Sequence, residues 1–325
     1  MSGTIEQLGA WVDSLPNWGK AAVAGGAALT IYIPYRFWVG QPRSSPCIKD
    51  FKKDLVYLFQ FPRCKVSPNL SPFCLKVETW LRMSDIGYEI PKVAWNVRSM
   101  EGTMPFVEFN GVEYYDSNFI ISNLDKAVPQ HVSIDEHLSS EQKATTRAFE
   151  AMLEKSLAIS AWVPRLENAD KVLDTLDPKV FGILGVIFKA FSIKSYAALL
   201  SRRIAGTDLG FHKREDRIQI GIDDLKAISN YLGNKHFLHG FKPTKVDACI
   251  FANLVQILYA PYDSEHREVI RSELKNLEEY VERIRTRFWP DWQESTEKFS
   301  TNSNWRKRPT PTKTNGVSAN GKLSR

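Results

Sequence analysis

Residues 71–89 read SPFCLKVETWLRMSDIGYE, and residues 102–121 read GTMPFVEFNGVEYYDSNFII. Ser71-Pro72 has the form of a helix start, because serine is a favoured N-cap and proline suits the first helical position, where no N–H is needed. Phe73, Val77, Trp80 and Leu81 then fall at i, i+4, i+7 and i+8, so the helix has one apolar face. Gly87 is expected to end it. In the second stretch, Asn110-Gly111 is a strong hairpin-turn signal between Phe106-Val107-Glu108-Phe109 and Val112 to Tyr115. Asp116-Ser117 then caps a helix that runs to about Val128.

Outward from these stretches, Leu55-Val56-Tyr57-Leu58-Phe59 is a short apolar run of β-formers bounded by charge and by Pro62, and it predicts a buried strand. Pro62 to Leu70 is the loop to the helix, and Tyr88 to Trp95 predicts a second strand. The order is β-α-β, then a β-hairpin, then α. Beyond Val128 the pattern is helical. Ser139 to Val163 predicts one long helix, and Pro178 to Phe191 an apolar segment too short to cross a membrane, suited to burial or to lining a cleft. Lys194 to Ala205 reads as a basic helix ended by Gly206. Lys213 to Leu232 carries Ile218, Ile222, Leu225 and Ile228 at helical spacing, and Glu265 to Phe288 is a last amphipathic helix whose end Trp289-Pro290-Asp291-Trp292 packs. Thr244-Lys245-Val246-Asp247 is a capping box, which gives Asp247 a structural role.

The chain has 325 residues, 43% hydrophobic and 25% charged, which excludes collagen-like, fully disordered and polytopic membrane classes. Its net charge of +6 comes from 43 Lys and Arg against 37 Asp and Glu. Six of those bases (Arg306, Lys307, Arg308, Lys313, Lys322, Arg325) and no acid lie in residues 300–325, so the rest is neutral at 37 against 37. A nucleic-acid-binding domain would carry its excess on a folded face, so no nucleic-acid partner is expected. The tail is rich in Thr, Asn, Ser, Gly and Pro and reads as disordered, with a solubilising role or contact with anionic lipid or an acidic partner. Four cysteines form neither a disulfide scaffold nor a zinc template, so no metal is expected and a reducing compartment is inferred. Cys64, in the loop, is the candidate for an exposed reactive thiol; Cys74, in the first helical turn, reads as a packed small hydrophobe.

Ala21 to Ile33 is apolar apart from Thr30 and Tyr32, and Arg36 is the one full charge between Ala21 and Gly40. Twenty residues could just span a bilayer, although Pro34 and Arg36 interrupt the run. The two readings are an anchor and an amphipathic helix at an interface or in solution. The basic residues after the segment (Arg36, Arg43, Lys49, Lys52, Lys53) favour the body on the cytoplasmic face, or in the cytoplasm if nothing spans. Residues 40–53 read as a linker.

The element order, with Ser71-Pro72-Phe73-Cys74, Met104-Pro105 and Asp116-Ser117 in these places, resembles the thioredoxin-like half of glutathione transferases. The wording of both quoted stretches and of Phe288-Trp289-Pro290-Asp291-Trp292 is similar to the failed axon connections and cadmium-responsive proteins, which are akin to metaxins; the resemblance covers roughly residues 52–295. It implies an α/β thioredoxin-like N-terminal domain over 54–130 followed by an all-α glutathione-transferase C-terminal domain over 131–299. Residues 1–53 are then the apolar segment and linker, and 300–325 the basic tail.

The resemblance also implies glutathione. Met104, before a cis Pro105, would pair its backbone with the cysteinyl residue of the tripeptide. Asp116 and Ser117, at a helix N-terminus, would receive the γ-glutamyl carboxylate, and Ser71 would face the thiol as candidate catalytic residue. Taken as residues alone, Pro105 is a strand-start proline and Ser71, Asp116 and Ser117 are caps, so both readings stay open. Ser71 stands where thioltransferase-type members carry the first Cys of C-P-x-C and Cys74 stands at the second, which removes the two-cysteine disulfide cycle. Two functions follow. One is an enzyme, a homodimer as transferases of this fold usually are, that joins glutathione to an apolar electrophile in stress or metal detoxification. The other is a non-catalytic metaxin-like protein with a protein partner, in contact with a membrane through residues 21–40.

Overall fold

The computed structural model describes residues 10–26, 44–92, 97–181, 185–301 and 305–306. A four-stranded sheet has the order β2-β1-β3-β4, made of β1 (Val56–Phe59), β2 (Tyr88–Glu89), β3 (Phe106–Phe109) and β4 (Val112–Tyr115). β1 is parallel to β2 and antiparallel to β3, and β3 and β4 form a hairpin in which Phe106 faces Tyr115 and Phe109 faces Val112. Asn110 and Gly111 have φ of 50° and 80°, the two positive values that a tight hairpin turn matching the strand twist requires.

Helices α1 (Pro72–Met83) and α2 (Ser117–Ala127) lie on one face of the sheet. Val77, Trp80 and Leu81 of α1 and Ile120, Ile121 and Leu124 of α2 join Val56, Leu58, Val107 and Phe109 in the main core. On the other face Tyr57, Phe59 and Phe106 make a smaller cluster, against which Leu55, Met104 and Tyr115 pack. Two local expectations change here. The helix stops at Met83, and Asp85 rather than Gly87 takes the left-handed conformation (φ 53°), which a short Asp side chain tolerates. The second strand is two residues long, and residues 93–96 of its expected span lie outside the described residues.

The second half is helical. α3 (Ser140–Met152), a π-helical turn (Leu153–Leu157) and α4 (Ala158–Glu167) make up the single long run expected from Ser139. After α5 (Ala169–Leu173), the segment expected at Pro178 to Phe191 is split. It begins as a 3-10 turn (Pro178–Phe181), and its end belongs to α6 (Gly185–Ala205), which also absorbs the basic helix. There follow α7 (Arg214–Leu232), α8 (Lys245–Leu258), α9 (Glu265–Ser272), α10 (Lys275–Phe288) and α11 (Trp292–Glu297). α8 is buried over nearly its whole length and packs against α1, so it joins the two halves. At its start, Asp247 accepts from the Thr244 N–H (2.7 Å) and hydroxyl (2.6 Å), and its other oxygen accepts from the Leu238 N–H (2.7 Å) and the Tyr280 hydroxyl (2.6 Å). The capping box therefore also ties α8 to α10.

The stretch expected to be a linker is fastened down. The Cys47 and Ile48 N–H groups donate to the two oxygens of buried Glu108, at 2.5 and 2.9 Å. Before it, residues 17–26 are helical, and the apolar run expected over 21–40 passes outside the described residues after Gly26. No helix of the described residues is long and apolar enough to cross a membrane. Most of the basic tail also lies outside the described residues. Its Trp305 stacks on Tyr88 (5.7 Å between rings), and Arg306 donates to the Asp85 carbonyl (3.0 Å).

Candidate functional site

The front of α1 is set by the loop before it. The Ser71 N–H donates to Asn69 Oδ1 (2.9 Å), and Asn69 Nδ2 donates to the Phe61 carbonyl (2.8 Å). Ser71 Oγ accepts from the Cys74 N–H at 3.4 Å, a long N-cap bond. The helical half grips the same loop: Arg165 Nη2 donates to the Leu70 carbonyl (2.7 Å), Gln256 Nε2 to the Asn69 carbonyl (3.0 Å), and the Lys65 N–H to the Thr175 carbonyl (2.8 Å). Cys74 is buried, and burial pushes its thiol up to about 12. Cys64 corrects the sequence reading. It is 0% exposed, its Sγ donates to the Ser67 carbonyl (2.9 Å), and burial raises its pKa, so it is not an exposed nucleophile.

Met104 and Pro105 are joined by a cis peptide bond immediately before β3. Beside Met104 lies a residue that the sequence pattern did not single out. Arg98 is buried, directs Nη1 toward Met104 Sδ (3.4 Å) and the Val97 carbonyl (3.3 Å), and holds its guanidinium 5.2 Å from the centre of the Phe61 ring. Desolvation lowers its pKa to about 10, with Cys74 the opposing influence. A single arginine carries no periodic or motif signal, which is why sequence reasoning missed it.

Asp116, at φ 61°, caps α2. Its Oδ1 accepts from the N–H groups of Asn118 (2.9 Å) and Phe119 (3.3 Å). Ser117 is buried at the head of the helix, and its hydroxyl faces Lys76 of α1. Lys76 is 1% exposed and donates to Asn118 Oδ1 (2.6 Å), to Glu154 Oε1 (2.7 Å) and, at 3.4 Å, to Ser117 Oγ. Asn118 Nδ2 in turn donates to Glu154 Oε2 (2.8 Å). Burial opposes the Lys76 charge, yet its pKa is raised. Cys249 beside it is pushed up to about 12 by burial and carries no charge at neutral pH, so Glu154 is the group that keeps Lys76 protonated. Glu154 lies in the π-helical turn, a departure from α-geometry that recurs at functional sites.

Of the five residues expected to form a site, Ser71 and Ser117 reach α1 directly or through one side chain, and Met104 contacts Arg98. Ser71 begins the helix, Ser117 meets it through Lys76, and Met104 meets it through Arg98, which lies within electrostatic range of Cys74. Pro105 follows Met104 into β3, and Asp116 fixes the backbone that presents Ser117. Among the described residues no cluster of three or more metal-ligating side chains is present.

Family models for the glutathione S-transferase N-terminal domain and C-terminal domain match residues 72–166 and 221–284. The chain is 34% identical over 266 residues to Failed axon connections of Drosophila melanogaster, a match that spans 78% of this chain and 63% of that protein. The chain thus carries both glutathione S-transferase domains, N-terminal and C-terminal. It is also 23% identical to Metaxin-3 of Danio rerio over 69% of its own length and 72% of the relative's. In fold it is similar to a crystal structure of a glutathione transferase from Phanerochaete chrysosporium, with a TM-score of 0.51 and 13% identity, covering 72% of this chain and 97% of the other. The thioredoxin-like sheet with its helical C-terminal half is therefore the glutathione-transferase architecture, and the chain spans just under two thirds of the length of its Drosophila relative.

Proposed function

We propose that this protein binds glutathione beside the front of α1. The cysteinyl backbone lies along Met104 at the start of β3, the γ-glutamyl carboxylate lies at Asp116 and Ser117, and the thiol lies toward Ser71. The observation that carries this reading is the pairing of a helix head at Ser117 with buried cations at Lys76 and Arg98, which suits a ligand bearing two carboxylates. With Cys64 and Cys74 buried and raised, the chain's own described thiols there are poor nucleophiles. Chemistry at this site would then use the ligand's thiol, with the Ser71 hydroxyl as its hydrogen-bond donor, on an apolar electrophile of the kind met in stress or metal detoxification. Thermal unfolding of the full chain with millimolar glutathione tests it: at a hundredfold excess over Kd, binding adds about 2.7 kcal/mol. No shift, together with no retention on a glutathione resin, overturns it.

A second reading has its own support. Trp11 and Trp18, 55% and 78% exposed, precede the apolar run, as interfacial aromatics do, and the chain is similar to a metaxin. On this reading the transferase-like body is a non-catalytic platform for a protein partner at a membrane surface. Partition of the full chain into a membrane pellet, lost on deleting residues 1–40, supports it; an unchanged distribution on deletion removes it.

A further inference from the structure

Lys76 has three N–H donors and no lone pair. Its partners are Asn118 Oδ1, Glu154 Oε1 and Ser117 Oγ. A hydroxyl offers one hydrogen and two acceptor positions. With the ammonium on the acceptor side of Ser117 Oγ, its hydrogen turns away from Lys76. Asp116, the nearest carboxylate in sequence, is already engaged by the Asn118 and Phe119 N–H groups. The hydroxyl hydrogen is thus left to point where the leading N–H groups of α2 point, toward an anion. The second feature is where the counter-charge comes from. Glu154 is supplied by the helical half, out of the π-helical turn, and both its oxygens are used, one by Lys76 and one by Asn118.

We propose that Lys76 is a positioning residue that makes Ser117 a hydrogen-bond donor to the ligand's carboxylate, and that Glu154 sets the strength of this contact by holding Lys76 charged and in place from the helical half. The proposal rests on the glutathione reading above. It assigns to the helical half control over affinity at a site built by the thioredoxin-like half.

The test is calorimetric titration of the full chain with glutathione, and with the dipeptide Cys-Gly, which lacks the γ-glutamyl group. Lys76→Met should weaken glutathione about tenfold, as loss of a charge-assisted contact does, while leaving Cys-Gly unchanged. In a Ser117→Ala background the same change should cost less than about threefold, because the two residues act as one unit. Glu154→Gln keeps an oxygen for Lys76 but removes the charge that holds it protonated, and should weaken glutathione by about threefold while leaving Cys-Gly unchanged. This last variant decides the matter if Lys76→Met does not fold. Equal losses in the two backgrounds, or a Glu154→Gln protein whose affinity is unchanged or tighter, overturn the proposal while leaving glutathione binding intact. A wild-type chain that binds no glutathione overturns the underlying reading instead, and the proposal with it.

Discussion

The two ends of α1 belong to one twelve-residue helix and are built differently. The rear end is locked. Glu78 is 0% exposed and accepts from Arg63 Nη1 and Nη2 (2.7 Å each), from Gln60 (2.8 Å) and from the Tyr88 hydroxyl (2.7 Å). Arg82, one turn on, donates to both oxygens of Asp291 (2.5 and 3.0 Å) and stacks 3.6 Å from the Trp289 ring. Trp289 Nε1 donates to Thr79 Oγ1 (3.2 Å), and Trp305 covers Arg82 from 5.5 Å. The front end is held by smaller sets: a long cap at Ser71, a thiol pushed to about 12, and a lysine anchored from the other half. Buried charge at the rear is matched by buried counter-charge and fixes the seam between the halves. Buried charge at the front is a single pair, Lys76 with Glu154 of the helical half, whose ammonium reaches the head of α2 at Ser117.

The largest expected effect breaks the rear. Glu78→Gln leaves Arg63 and Arg82 short of a carboxylate in the interior, and should cost about 3–5 kcal/mol in denaturant unfolding. A loss below about 1 kcal/mol would mean that the rear end is not the lock. The same carboxylate gives a pH signature. Burial alone would raise the Glu78 pKa, but the charges of Arg63 and Arg82 outweigh it and bring it down to about 2. Because the folded value lies below the unfolded value near 4.5, the stability it contributes is complete above pH 4.5 and is lost as pH falls toward 2. Stability measured across that window should decline in the wild type and decline less in Glu78→Gln. Next in size is Asp291→Asn, which keeps the shape and weakens the Arg82 pair; about 2 kcal/mol should be lost, with glutathione affinity unchanged because the front is untouched.

Sequence made the start of α1, the Asn110-Gly111 turn and the Thr244 capping box legible, because each depends on residues within four positions of one another. It hid the rear lock. Lys76, Glu78 and Arg82 in a helix look like a solvated face; they are buried because Arg63, Tyr88, Glu154 and Asp291 arrive from elsewhere, Asp291 from 209 residues away. The same holds for Cys64. Its loop reads as exposed, and only the bridge to Leu176 and the grip of Arg165 on Leu70 bury it. A native-state thiol titration should therefore modify half-buried Cys47 before Cys64, Cys74 or Cys249; early labelling of Cys74 would contradict the front end as described.

The smallest stability effect carries the sharpest distinction. Ser71 Oγ caps α1 through one bond of 3.4 Å, so Ser71→Ala should cost only about 0.5–1 kcal/mol, near the bottom of the range for a lost serine cap. In that bond the hydroxyl is the acceptor, so the cap does not use its hydrogen. If the front of α1 performs transfer, Ser71→Ala should leave glutathione affinity within about twofold and lower the conjugation rate by about a hundredfold, the scale of losing one transition-state hydrogen-bond donor. A variant that loses several kcal/mol would make Ser71 a structural cap like the groups at the rear. A variant that is stable, binds glutathione and keeps its rate would assign thiol activation to another donor, and Arg98, buried between Met104 and Phe61, would be the residue to substitute next.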